Sequence, residues 1–84
     1  MTKLDRIAKM VKRQWMPCGT PEAGWTGMDF PMSGKQVRIA REGDDGEDIS
    51  VYRFTDRMVM ECKTSFDHAV PDKAIVAFVR ELLK

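Results

Sequence analysis

Chemistry-bearing residues are scarce in this sequence. It contains two cysteines, Cys18 and Cys62, and one histidine, His68. Neither cysteine has a partner at zinc-ligand spacing, and two thiols are too few to staple a secreted scaffold, so both are expected to be free thiols in a reducing compartment. A single histidine excludes the two-histidine metal motifs. No glycine-rich phosphate loop, nucleophile elbow or paired-carboxylate pattern occurs either. Charge of one sign is also missing: 14 Lys and Arg stand against 13 Asp and Glu, a formal net charge of +1. That balance gives no global pull toward nucleic acid, an anionic membrane or an acidic substrate. No apolar run approaches the roughly 20 residues of a membrane span. Asp5, Lys9 and Lys12 interrupt the N-terminal apolar residues, unlike a signal peptide. These absences predict a cytoplasmic protein, of a bacterium or of a phage-infected cell, that is not an enzyme and needs no metal or cofactor.

With 84 residues, 43% hydrophobic and 32% charged, the composition is that of one folded domain with a single thin core. Leu4, Ile7, Ala8, Val11 and Trp15 fall within one arc of about 100° on a helical wheel, which predicts a helix over residues 2–15. Thr2 is its expected N-cap and Pro17 its stop. Residues 17–34, rich in Gly and Pro, read as a loop that packs on the body, with Gly27 to Pro31 forming at most a short edge strand.

Alternating runs then predict strands at about 36–41, 49–54 and 57–63, joined by the acidic segment Glu42 to Asp48 and by a two-residue turn at Thr55-Asp56. That turn would set Phe54 opposite Arg57, Tyr52 opposite Val59 and Val51 opposite Met60. One side of the sheet would carry Val37, Ile39, Ile49, Val51, Met58, Met60 and Cys62 as the core face. A second helix is expected over 71–83, with Pro71 in its first turn and an apolar arc near 200°. The excess arc calls for a second neighbour, either the first helix or another copy of the chain in a homodimer. The expected fold is therefore α+β and two-layered, in the order α-β-β-β-α. Its antiparallel meander has three strands, four if an edge strand is added, with the N- and C-terminal helices packed on one face.

The opposite sheet face is the candidate site. Tyr52, Phe54 and Val59 interleaved with Arg38 and Arg57 combine ring faces, apolar area and cations, as protein hot spots do. Trp25 and Phe30 on the long loop either join this surface or fold over it. Trp25, Phe30, Arg38, Tyr52, Phe54 and Arg57 are thus the expected partner-binding residues of a small protein-binding module, such as a regulator or a phage-encoded inhibitor of a host protein. Met28 and Met32 are read either as an adaptable contact surface or as core filler. An alternative is nucleic-acid binding through Lys3, Arg6, Lys9, Lys12 and Arg13, which face only Asp5 in the same segment. The five acids between Glu42 and Asp48 lack calcium-loop spacing. Cys62, His68 and Asp67 could be arranged as nucleophile, base and orienter, but alternation puts Cys62 on the core face, where a thiol is inert.

The helix, three-strand meander and helix order resembles that of double-stranded RNA-binding domains. The resemblance is topological, because the first loop is the acidic Gly43 to Asp48 and the last helix opens with Lys73 alone.

Overall fold

The computed structural model describes residues 2–42 and 48–84. Two helices flank five strands: α1 (Lys3–Val11), β1 (Met16–Thr20), β2 (Trp25–Met32), β3 (Lys35–Glu42), β4 (Ile49–Thr55), β5 (Met60–Phe66) and α2 (Asp72–Leu82). The strands form one antiparallel meander in the order β1-β2-β3-β4-β5. The class is α+β, and the sheet has five strands where the periodicity of the later sequence suggested three or four.

The extra strands come from the Gly/Pro-rich stretch, which enlarges the sheet and does not cross its face. Pro17 is accommodated because β1 is an edge strand. Pro31 is accommodated because β1 pairs with β2 only as far as Asp29, so β2 is itself an edge at that point. Gly27 is needed in mid-strand: a Cβ there would lie 2.5 Å from the Ile39 carbonyl oxygen.

One sheet face carries Met28, Phe30, Val37, Ile39, Ile49 and Val51, all buried, and both helices pack on it through Leu4, Ile7, Val11, Ile75, Val76 and Val79. The predicted opposition of Ile39 and Val51 is present. Met28 is core, and Met32 packs partly against it, so both methionines fill the interior.

The register of β5 differs from the expected one. Phe54 opposes Met60, Tyr52 opposes Lys63 and Val51 opposes Thr64, with a bulge after Arg53. The Thr55-Asp56 hairpin is replaced by a longer turn. Thr55 Oγ1 accepts from the amides of Arg57 and Val59, the Met58 N–H donates to the Thr55 carbonyl, and Met58 takes the left-handed conformation at φ 61°. Met58, Val59 and Met60 are therefore exposed, and Thr64 and Phe66 take the core-side positions.

Thr2 caps α1 as expected: its hydroxyl accepts from the Asp5 amide, and the Asp5 carboxylate accepts from the Thr2 amide. The hydroxyl contact, followed by the amide contact, holds the Asp5 carboxyl below its ordinary value. The helix is shorter than 2–15. Lys12 terminates it at φ 59°, turning the chain toward β1, so Trp15 lies outside the apolar arc and is exposed. The wide arc of α2 meets α1 on one flank and Phe66 on the other, where the Phe66 and Phe78 rings meet edge to face at 5.4 Å.

The helices run side by side in the same direction. Lys3 Nζ donates to the carbonyls of Val70 and His68 and lies 3.1 Å from Asp72. At the other end Arg80 donates to the Met10 carbonyl and Arg13 to the Leu83 carbonyl. Arg80 and Arg13 thus each satisfy a C-terminal carbonyl of the neighbouring helix, whereas Lys3 ties α1 to the loop that leads into α2.

Candidate partner-binding face

The second sheet face is left open by both helices. Pairing sets its side chains in rows that cross the strands. One row holds Met16, Asp29, Arg38, Tyr52 and Lys63; the next holds Cys18, Gly27, Ala40, Ser50 and Ser65. Trp25 follows beyond the small-residue row, and Phe54 with Met60 lies on the other side.

Arg38 is the hub. Its Nε and Nη2 donate to the two carboxylate oxygens of Asp29 at 2.7 and 3.2 Å, a bidentate geometry that fixes the guanidinium plane. Its Cζ lies 5.0 Å from the ring centroids of both Trp25 and Phe54, within cation–π range. Tyr52 and Phe54 stack at 5.9 Å and 16°, and Lys63 Nζ sits 5.4 Å over the Tyr52 ring. The Asp29 contact raises the Arg38 pKa, so this charge is permanent.

Cys18 Sγ also contacts Asp29, at 3.4 Å. Burial first, then the neighbouring carboxylate, pushes its pKa up to about 11. It is a poor nucleophile at neutral pH.

Trp25 owes its position to Gly19. A Cβ on Gly19 would lie 2.7 Å from the indole, so the ring packs on bare backbone at a position with φ +71°. A hollow of about 260 Å³ opens between Trp25, Arg38, Ala40 and Tyr52.

Four of the six residues expected at a partner surface, Trp25, Arg38, Tyr52 and Phe54, therefore come together. Phe30 does not. It alternates onto the core face of β2 and is fully buried, so it is a packing residue. Arg57 does not oppose Phe54, because the longer turn gives that place to Met60 and leaves Arg57 exposed in the turn. Asp29, Lys63 and the Cys18, Gly27 and Ser65 members of the small-residue row were missed. The period-two run Met28, Phe30, Met32 was the available signal, since a strand there forces Trp25, Gly27 and Asp29 onto the other face.

The basic set on the first helix is partly consumed by structure. Lys3, expected on the exterior, is buried and bound at the N-terminus of α2. Arg6 contacts Asp72, and this pairing followed by Lys3 lowers the Asp72 carboxyl. Lys9, Lys12 and Arg13 remain exposed.

The expected acidic turn falls largely on residues 43–47, outside the described residues. Asp48 accepts from the His68 amide, and His68 Nδ1 lies 3.3 Å from Asp67 and 3.5 Å from Asp48, all three residues being exposed. Cys62 lies in mid-strand across from Arg53. Among the described residues no helix is long and apolar enough to cross a membrane.

No family model, curated protein or solved structure matches the chain.

Proposed function

We propose that this protein is a non-enzymatic protein-binding module that docks through the open face of its sheet, acting as a small regulator or inhibitor of its partner. The supporting observation is the cluster of Trp25, Tyr52 and Phe54 around the locked Arg38, with Met16 and Met60 exposed beside it. Trp, Tyr, Arg and Met are the residue types enriched where proteins meet. Rings held by stacking and by an ion pair lose little freedom on docking, which favours affinity.

Both sheet edges are unsuited to strand addition. Edge strand β1 contains Pro17 and a left-handed Gly19, and β5 is bulged near its start and carries Lys63. The face is thus the better candidate for contact.

Affinity capture at moderate salt tests the reading, with wild-type protein compared with Tyr52→Ala/Phe54→Ala and with Lys9→Glu/Arg13→Glu. A stoichiometric protein partner held by the wild type and by the helix variant, and lost by the double alanine, is the expected result. Absence of any stoichiometric partner removes the proposal. Nucleic-acid recovery abolished by the helix variant would move the function to α1 instead.

A further inference from the structure

We infer that the hollow over Ala40 takes a single aromatic side chain from an acidic segment of the partner; this rests on the protein-binding reading above. Its floor is built for insertion. Gly27, Ala40, Ser50 and Ser65 lie in one register row of small side chains. Trp25 and Arg38, 5.0 Å apart from ring centroid to Cζ, close the hollow toward β2, and Tyr52 walls it on the β4 side. At about 260 Å³ the space lies below the range of drug-sized ligand pockets and suits one ring-bearing group. Indole, phenol and guanidinium walls offer faces and edges for stacking with such a ring.

The charge around the hollow selects what flanks that ring. Asp29 is engaged by Nε and Nη2 of Arg38, which leaves Nη1 uncommitted among the described residues. Lys63, over the outer side of Tyr52, has no carboxylate partner among the described residues. In the row Asp29, Arg38, Tyr52 and Lys63 two cations thus stand with one carboxylate that is already used, and a segment with Asp or Glu beside its aromatic residue supplies the complement. A polyanion fits less well, because the row of Gly27, Ala40, Ser50 and Ser65 carries no cation along which successive phosphates could be neutralised.

The test is a titration of ¹⁵N-labelled protein with the blocked peptide N-acetyl-Gly-Asp-Phe-Glu-Gly-amide, followed by amide and indole shifts. Parallel titrations use the same peptide with Lys replacing both acids, the same peptide with Ala replacing Phe, and single-stranded octathymidylate. Saturable shifts centred on Trp25, Gly27, Ala40 and Tyr52 with the acidic aromatic peptide, at least tenfold weaker with the two control peptides and with the oligonucleotide, are expected. Ala40→Leu, which fills the hollow, and Lys63→Glu, an exposed change that leaves the fold intact, each lower the affinity at least tenfold. Lys63→Glu also shifts preference toward the lysine peptide. Equal response to acidic and basic peptides, no response at all, or tighter binding of the oligonucleotide overturns the inference. The two readings fail separately. A captured partner that is lost with Tyr52→Ala/Phe54→Ala yet retained by Ala40→Leu and Lys63→Glu leaves the docking face standing and eliminates the ring site.

Discussion

Gly19→Ala and Gly34→Ala form a matched pair that isolates one contact. Both glycines have φ +71°, so alanine at either position carries the same left-handed strain, about 1 kcal/mol. Their surroundings differ. Nothing lies within 4 Å of a Cβ at Gly34, whereas at Gly19 three indole atoms of Trp25 lie within 2.8 Å. Carbon atoms pack at about 3.5–4.0 Å, so the indole must retreat by roughly 1 Å. It then loses its seat on the β1 backbone and part of its contact with Arg38, the latter being worth about 0.5–1 kcal/mol. Gly19→Ala should therefore cost about 1–2 kcal/mol more than Gly34→Ala, which is roughly 5–10 °C in melting temperature for a domain of this size. Urea unfolding followed by circular dichroism measures both variants, alone and in a Trp25→Ala background. The excess should vanish once Trp25 is gone. Equal losses in the first comparison, or an excess that survives removal of the indole, would refute the stacking of Trp25 on Gly19.

Phe30→Ala should destabilise by about 3–5 kcal/mol, a large part of the stability of a small domain, and an almost unchanged thermal melt would mean that this ring is not core. The Asp72 carboxyl is held below 3.8, mainly by Arg6, so its stabilisation is complete above that pH and is lost as pH falls through the lower folded value. Urea midpoints between pH 7 and pH 2 should fall less steeply at the acid end for Asp72→Asn, which starts from a lower midpoint at pH 7; superimposable curves would contradict this. At Cys18, the rise from 9.0 to about 11 cuts the thiolate fraction at pH 8 about hundredfold. The greater nucleophilicity of a more basic thiolate offsets about a factor of ten. Iodoacetamide labelling read by peptide mass spectrometry should thus be about tenfold slower at Cys18 in the native protein than in urea, and faster again in native Asp29→Asn. Identical native and unfolded rates would rule out the shift.

The helices and the central strands were legible because their apolar spacing is regular. Leu4, Ile7, Ala8 and Val11 define the inward side of α1, and Val37, Ile39, Ile49 and Val51 alternate onto the core face as expected. β1 and β2 were obscured by Gly and Pro, whose poor strand propensity outweighed the alternation of Met28, Phe30 and Met32. Tertiary context decided there, because Pro17 and Pro31 stand where no neighbouring strand needs their missing N–H. The β5 register depended on a turn held by the Thr55 hydroxyl and a left-handed Met58, neither of which is a strong sequence signal. The misplacement of Arg57 and the omission of Lys63 followed from that misreading. Tyr52 and Phe54 were placed correctly by β4 alone, whereas Lys63 could not be placed opposite Tyr52 until the turn was known.

The parallel seating of α1 and α2 also governs how the molecule assembles. Each hairpin of a meander can zip from its own turn, so strand pairing demands little search along the chain. Burial of Ile39 and Val51 cannot follow until segments from opposite ends of the sequence reach the same side of the sheet, because Leu4 and Leu83 belong to one cluster. While the polypeptide is being synthesised, every strand precedes α2 out of the ribosome, and the greasy inner surface has only α1 over it until that helix emerges. Nascent chains stalled before Val79 should be sticky and chaperone-dependent, and completion of α2 is the step that covers the apolar side of the sheet.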